Sequence, residues 1–388
     1  MSTTTKRMQA DFTAEEWAAH CEAGLEAAAR LGNRGPIRFD DAGRLAQDIL
    51  DAYRRTGFYV FTGVLDAAEV EELRAEFDEV LDNAPVAKDR DVDQHGRSVK
   101  YAGYYQLATE AMFTQGRAEQ PPADDSPRSP NVTVGLISHP LLMMDSALRV
   151  YGHPKILRMV EGVNGADFIP FHESIFHKGA GEGPPTPWHQ DGRTHWAEDG
   201  ASLEQPDGSG KTHGFNLSVS WSHCTPENCL WVVPGSHRQW RLANGGSFPE
   251  SCEVLADAVP MTLEPGDCGM VNRSSLHGSY RNHSTERRVT MVLGFHKRES
   301  AIGTSTTNVH AFRLPGGKNA KKVTYTEEDV LRRSRMIPLA IDARRQHFPD
   351  EEPYVYRGAY LGDAEWNEAA RADISKTGGE YWQHDITL

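Results

Sequence analysis

Between Asp167 and Lys297 the chain breaks into short apolar or alternating runs: Phe168–His177, Phe215–Trp221, Leu230–Pro234, Cys268–Val271 and Val289–His296. Turn-forming residues close each run. Runs of this length suit strands buried on one or both faces, and a series of them without long helical patterns between is the signature of a β-sandwich or barrel. The expectation is a mainly β fold with flanking helices.

The helices lie at the two ends. Thr13 and Glu16 have the spacing of a capping box, and Trp17, Cys21 and Leu25 recur at helical spacing, which predicts a helix to about Gly32. A second helix is expected from Asp41 to near Gly57, followed by a strand at Phe58–Phe61 that Gly63 closes. Asp66 caps the next helix, with Val70, Leu73, Phe77, Val80 and Leu81 as its apolar stripe. Two Pro-rich stretches, Glu119–Pro130 and Gly181–Pro187, read as loops because proline has no amide to donate to a ladder. A third loop, Asp199–Thr212, reads equally as a lid or a surface insertion. Beyond Lys297, Thr326–Met336, opened by Thr326 with Asp329 behind it, and Asp363–Ile374 predict an α-rich C-terminal extension. The expected divisions are 1–40, an N-terminal helical extension; 41–297, the β-rich domain with its helical support; and 298–388, an extension packed on that same domain.

A chain of 388 residues can bury a full core, and its formal charge of −14, from 55 acidic against 41 basic residues, repels phosphate backbones and anionic membranes. The partner expected is a small molecule rather than nucleic acid or membrane. The opening residues hold no signal-peptide core and no segment approaches the ~20 apolar residues that span a bilayer, so a cytoplasmic location is expected. Cys21, Cys224, Cys229, Cys252 and Cys268 are odd in number and never spaced C-x-x-C, which suits buried thiols better than a disulfide framework or a zinc ribbon.

The residues that carry chemistry centre on Trp188-His189-Gln190-Asp191. In an extended segment, positions i and i+2 share a side, so the His189 imidazole and the Asp191 carboxylate converge on one ion. Alone the pair is weak, since a chain with 17 histidines offers such neighbours by chance. A second element, Leu276-His277-Gly278-Ser279, follows 88 residues after His189, with Arg288 on the next strand. Two histidines and a carboxylate make the facial triad that holds non-haem Fe(II) with open positions, and a guanidinium clamps a carboxylate bidentately. Together the four residues describe a site for Fe(II), a bidentate keto acid anchored on Arg288, and O₂.

These residues, with W-A-E-D-G at Trp196–Gly200, T-P-E-N at Thr225–Asn228, V-P-G-S-H at Val233–His237 and P-G-D at Pro265–Asp267, give a sequence that resembles the phytanoyl-CoA dioxygenase family of Fe(II)/2-oxoglutarate oxygenases, including its ectoine hydroxylase branch. The resemblance runs from about Phe58 to Lys297. It implies a double-stranded β-helix, or cupin-like jelly roll, with iron at His189, Asp191 and His277 and the distal 2-oxoglutarate carboxylate at Arg288. It also implies that Ser279 assists that carboxylate. Asn216 falls where a polar residue contacts 2-oxoglutarate in the ectoine branch, and Gln190 sits inside the iron motif; both read equally as structural polar residues. Asn228 is followed by Cys229 where the family usually has glycine, so that turn must differ.

The implied reaction is hydroxylation of an unactivated C–H bond of a small molecule, coupled to oxidative decarboxylation of 2-oxoglutarate to succinate and CO₂. Desaturation, epimerisation and ring closure stay open; halogenation does not, because Asp191 fills the position a halide would need. A jelly-roll metal protein or isomerase that works without 2-oxoglutarate is the rival of another class, and Arg288 separates the two. A non-catalytic interaction protein is the third possibility, against which an intact triad argues. The remaining histidines, His172, His177, His195, His213, His223 and His283, repeat no ligand spacing and read as structural. So do His237, as a loop brace, and Tyr101, Tyr104 and Tyr105, as core aromatics; Arg287 reads as a solvated charge. The terminal extensions suit a homo-oligomer interface, a substrate cover or padding.

Overall fold

A computed structural model describes residues 7–87, 90–109, 132–181, 183, 185–191, 214–239, 241, 253–303, 305–307, 322–324 and 326–376. The expected loops at Glu119–Pro130 and Asp199–Thr212, and Cys252, lie outside them. Strands run in chain order as β1 (Arg34–Pro36), β2 (Phe58–Thr62), β3 (Tyr105–Thr109), β4 (Val132–Ser138), β5 (Phe168–Lys178), β6 (Thr186–His189), β7 (Gly214–Ser220), β8 (Leu230–Val232), β9 (Val259–Met261), β10 (Cys268–Asn272), β11 (His277–Ser279) and β12 (Arg288–Lys297). They form a major sheet of order β1-β2-β10-β7-β12-β5-β4-β3 and a minor sheet of order β6-β11-β8-β9, with a separate hairpin of 305–307 against 322–324. Pairing is antiparallel except between β1 and β2.

Alternation along β12 explains why one sheet serves two purposes. Val289, Met291, Leu293 and Phe295 join the large core shared with the helices. Successive strand residues point to opposite faces, so Arg288, Thr290, Val292, Gly294 and His296 line the other face, toward the minor sheet. There Phe58, Val60 and Val271 pack with Trp231, Val232, Val259 and Met261 in a second apolar cluster that joins the two sheets. This is the jelly roll.

Helices α1 (Ala14–Ala29), α2 (Gln47–Thr56), α3 (Ala67–Asp82), α4 (Asp145–Tyr151), α5 (Pro154–Asn164), α6 (Arg298–Ala301), α7 (Glu327–Ser334), α8 (Met336–His347) and α9 (Glu368–Lys376) surround it. The capping boxes at Thr13, Asp66 and Thr326 form with Glu16, Glu69 and Asp329 as reciprocal partners. Three expectations shift. Leu25 is exposed because α1 turns Gly24 inward, where a Cβ would stand 2.8 Å from the Trp231 indole. Helix α2 starts at Gln47 rather than near Asp41, because the Asp40 carboxylate accepts from the Ala42 and Arg44 amides and holds a turn. Pro187, read as loop, sits in β6, an edge strand of the minor sheet where a missing donor costs nothing.

The C-terminal helices pack on the same body. Helix α8 lies against α4 and α7 against β5, where Arg333 and Glu173 form a buried ion pair. No helix among the described residues is long and apolar enough to cross a membrane.

Candidate metal centre

The register of the minor sheet assembles the site. Strands β6 and β11 pair with His189 opposite His277, which brings the two imidazoles to 4.2 Å between ring centroids. Asp191 follows two residues later, with Oδ1 3.3 Å from His189 Nε2. The prospective ligand atoms of His189, Asp191 and His277 all lie within 4.8 Å of one another, and all three residues are buried.

Backbone carbonyls set the tautomers. His189 Nδ1 donates to the Pro187 carbonyl at 2.7 Å and His277 Nδ1 to the Ser275 carbonyl at 2.9 Å. A carbonyl only accepts, so both protons sit on Nδ1 and both Nε2 lone pairs are left for an ion. Burial first, and then the neighbouring His189, pushes the His277 pKa down to about 4. At neutral pH the ring is uncharged, as a metal ligand must be.

The residues between and behind the ligands brace them. The Gln190 amide donates to the Ser274 carbonyl at 2.7 Å and the Gln239 carbonyl at 3.0 Å, and its oxygen accepts from the Arg241 amide at 2.8 Å. Asn216, on β7, donates from Nδ2 to Asp191 Oδ2 at 2.8 Å and accepts at Oδ1 from Arg273 Nη1 at 3.0 Å. Arg273 is fully buried, 3.3 Å from His172 Nδ1 and 4.0 Å from Asp191 Oδ2, with its guanidinium over the Phe171 ring.

A second polar centre lies along the inner face of the major sheet. Arg288 on β12 is the cross-strand partner of Lys178 on β5, so both side chains share a face. Lys178 Nζ donates to Ser279 Oγ at 2.8 Å and the Tyr280 carbonyl at 2.6 Å. Arg288 donates to Thr290 Oγ1 at 3.0 Å and the Asn228 carbonyl at 3.3 Å; its Nε has no hydrogen-bond acceptor. Among the described residues no carboxylate pairs with this buried guanidinium, whose pKa burial pulls below its ordinary value. The turn before Cys229 closes with the Thr225 amide on Asn228 Oδ1, and its Asn228 carbonyl faces Arg288.

His195 and His213 lie outside the described residues; others read as structural take structural places. Arg287 pairs with Asp78 at 2.6 Å on the surface, His237 Nε2 meets the Arg54 carbonyl at 3.0 Å, and His177 Nδ1 meets the Val134 carbonyl at 2.7 Å. Tyr101 and Tyr104 stack half-buried at 5.8 Å rather than in the core, and Tyr105 donates to the Val80 carbonyl. Cys21, Cys224, Cys229 and Cys268 are free and buried. Sequence reasoning missed Arg273 altogether. An isolated arginine between Asn272 and Ser274 carries no spacing signal, and only the fold brings it behind the triad.

A His/Asp/His face at one edge of a jelly roll, with a buried guanidinium beyond it, defines the non-haem iron oxygenase class. The chain belongs to the phytanoyl-CoA dioxygenase family, whose model matches residues 53–290. A curated relative, the dioxygenase cdmD of Talaromyces verruculosus, is 35% identical over 83 residues, 21% of this chain, and the match spans about a quarter (25%) of that protein's length. Among solved structures, EctD from S. alaskensis with 2-oxoglutarate and 5-hydroxyectoine is 19% identical, with TM-score 0.48 over 68% of this chain and 80% of that one. The non-haem monooxygenase ThoJ is 17% identical, with TM-score 0.48 over 86% of this chain and 95% of that one.

Proposed function

We propose that the protein is an Fe(II)/2-oxoglutarate-dependent dioxygenase that hydroxylates an unactivated C–H bond of a small molecule. The overall balance is substrate C–H, O₂ and 2-oxoglutarate giving C–OH, succinate and CO₂. The observation that carries this reading is Arg288: a buried cation with no acidic partner among the described residues, on the inner face of the jelly roll. Burying such a charge without an anion is costly, and the distal carboxylate of a keto acid removes that cost.

The donor set fits the ion. Two imidazoles and one carboxylate with ligand atoms within 4.8 Å of one another suit Fe(II). When bound, the iron supplies O₂ activation driven by oxidation of the keto acid. His189, Asp191 and His277 would hold the ion. Arg288 and Ser279 take the distal carboxylate, and Lys178, already on the Ser279 hydroxyl, adds a second positive charge beside it. Gln190 and Asn216 brace the ligands and their surrounding backbone. The buried inner face excludes water, and no side chain has to move a proton as general base.

Two measurements test this. Anaerobic addition of 2-oxoglutarate to the Fe(II) protein is expected to produce the visible charge-transfer band of the chelate; its absence sinks the reading in favour of a jelly-roll metal protein without a keto acid. A panel of organic acids, amino acids and natural products is then screened for substrate-dependent succinate. Product mass separates the outcomes, since hydroxylation adds an oxygen, desaturation and ring closure remove two hydrogens, and epimerisation leaves the mass unchanged.

A further inference from the structure

We infer that Arg273, acting through Asn216, is a positioning residue that makes Asp191 a one-oxygen ligand. The inference rests on the iron reading above. A primary amide has two ends of nearly equal shape and opposite hydrogen-bonding sense, so its neighbours decide which way it points. Arginine only donates. Its Nη1, 3.0 Å from Asn216 Oδ1, therefore fixes the amide oxygen on its own side and turns Nδ2 toward Asp191, where it meets Oδ2 at 2.8 Å. With Oδ2 held by that N–H, Oδ1 is the oxygen that faces His189 Nε2 at 3.3 Å.

Arg273 is itself anchored. Nη1 also stands 3.3 Å from His172 Nδ1, the guanidinium carbon lies 5.1 Å over the Phe171 ring, and the residue is fully buried. His172 has a fixed seat in turn, because Gly294 on the neighbouring strand has no Cβ; one added there would stand 2.5 Å from His172 Nδ1. The chain of contacts runs from β5 through Arg273 to β7 and ends on the metal carboxylate.

The consequence is for the number of open positions. A carboxylate that chelates through both oxygens takes four of six positions together with the two histidines, leaving too few for a bidentate keto acid and O₂. One held to a single oxygen leaves three. The contacts that Arg273 and Asn216 make lead to the ligand Asp191.

The test measures Co(II) affinity by its visible absorption, and the Fe(II)·2-oxoglutarate charge-transfer band under anaerobic conditions, in the full chain and its variants. Asn216→Ala and Arg273→Met are each expected to weaken Co(II) binding by about 10–100-fold, the range for residues that orient a ligand, and to diminish the band. Arg273→Lys is expected to recover part of the loss, since it keeps the charge without the planar fork. Because the two residues act in series, the double variant should lose no more than the weaker-binding single. Losses that multiply in the double variant, or wild-type affinity and band in a folded Arg273→Met protein, overturn the proposal. Should Arg273→Met fail to fold, Asn216→Leu, similar in shape and unable to bond, carries the test: unchanged affinity and band overturn the role, and a loss of both supports it. Wild-type protein that takes up no metal or shows no band would instead sink the iron reading itself.

Discussion

Arg288 is where the two function classes part, so its removal is the sharpest test at the scale of single residues. Arg288→Ala is expected to weaken 2-oxoglutarate binding by roughly 30-fold to several thousand-fold, matching the ~2–5 kcal/mol lost with one partner of a buried charge-assisted pair. Metal affinity should hardly change, because Arg288 is no ligand; an anaerobic titration following the charge-transfer band reads both. Asp191→Ala should do the reverse and abolish tight metal binding in a folded protein, as metal content after desalting will show. His189, Asp191 and His277 stood out in sequence because ligand chemistry forces short motifs, and the fold brings these three together. Arg273 did not, since its role depends on three-dimensional neighbours from β5 and β7 and on no local spacing. Lys178 belongs to no sequence motif; the β5–β12 register is what sets it opposite Arg288.

At the scale of elements, the strands were readable and their supports less so. Runs such as Val289–His296 announced themselves by alternation, and β12 exceeds that run by one residue at each end. Helix α4 gave no comparable signal because it is only 7 residues long, whereas α5 carries a polar stripe of Lys155, Arg158 and Glu161 opposite the buried Ile156, Leu157, Met159 and Val160, a period legible in the sequence. The C-terminal helix expected from Asp363 begins only at Glu368. Capping was the reliable local code. Thr326→Ala should cost about 1 kcal/mol by removing the acceptor for the Asp329 amide, measured by urea unfolding. Gly294→Ala tests the seat of His172 in β12. A Cβ 2.5 Å from a ring nitrogen forces the imidazole to move, and the expected loss is about 1–3 kcal/mol in the same assay.

Across the whole molecule, the C-terminal helices are fastened to the β-rich body by buried polar contacts as well as apolar ones. Arg333 from α7 reaches Glu173 on β5, and Arg344 from α8 reaches Glu69 on α3. Arg333→Met strands a buried carboxylate and should cost about 3–5 kcal/mol, with much of it recovered when Glu173→Gln is added. His153, which caps α5 by accepting from the Lys155 amide at 3.1 Å, governs part of the pH response. Burial, followed by the charges of Arg344 and Lys155, pushes its pKa down to about 2, while Glu69 stands 3.8 Å away. Between about 6.5 and 2 the unfolded chain therefore binds a proton that the folded protein refuses. Stability falls as pH drops through this window, by at most ~1.4 kcal/mol per pH unit from this group. His153→Asn keeps a capping oxygen and removes the titration, so its stability should decline less steeply than wild type between pH 6.5 and 4.5; parallel curves would assign the acid sensitivity elsewhere.

The carbonyls of Pro187 and Ser275 fix both imidazoles in their ligating tautomer through backbone contacts of the chain itself. Neither apolar cluster is built around the centre. The metal is thus a guest in a finished house: chelation should strip it without unfolding the chain, lowering Tm only by the binding linkage. Exchange among divalent ions becomes a matter of supply and washing rather than refolding, so one preparation can be emptied, refilled with Co(II) or Ni(II) for spectroscopy, and returned to Fe(II).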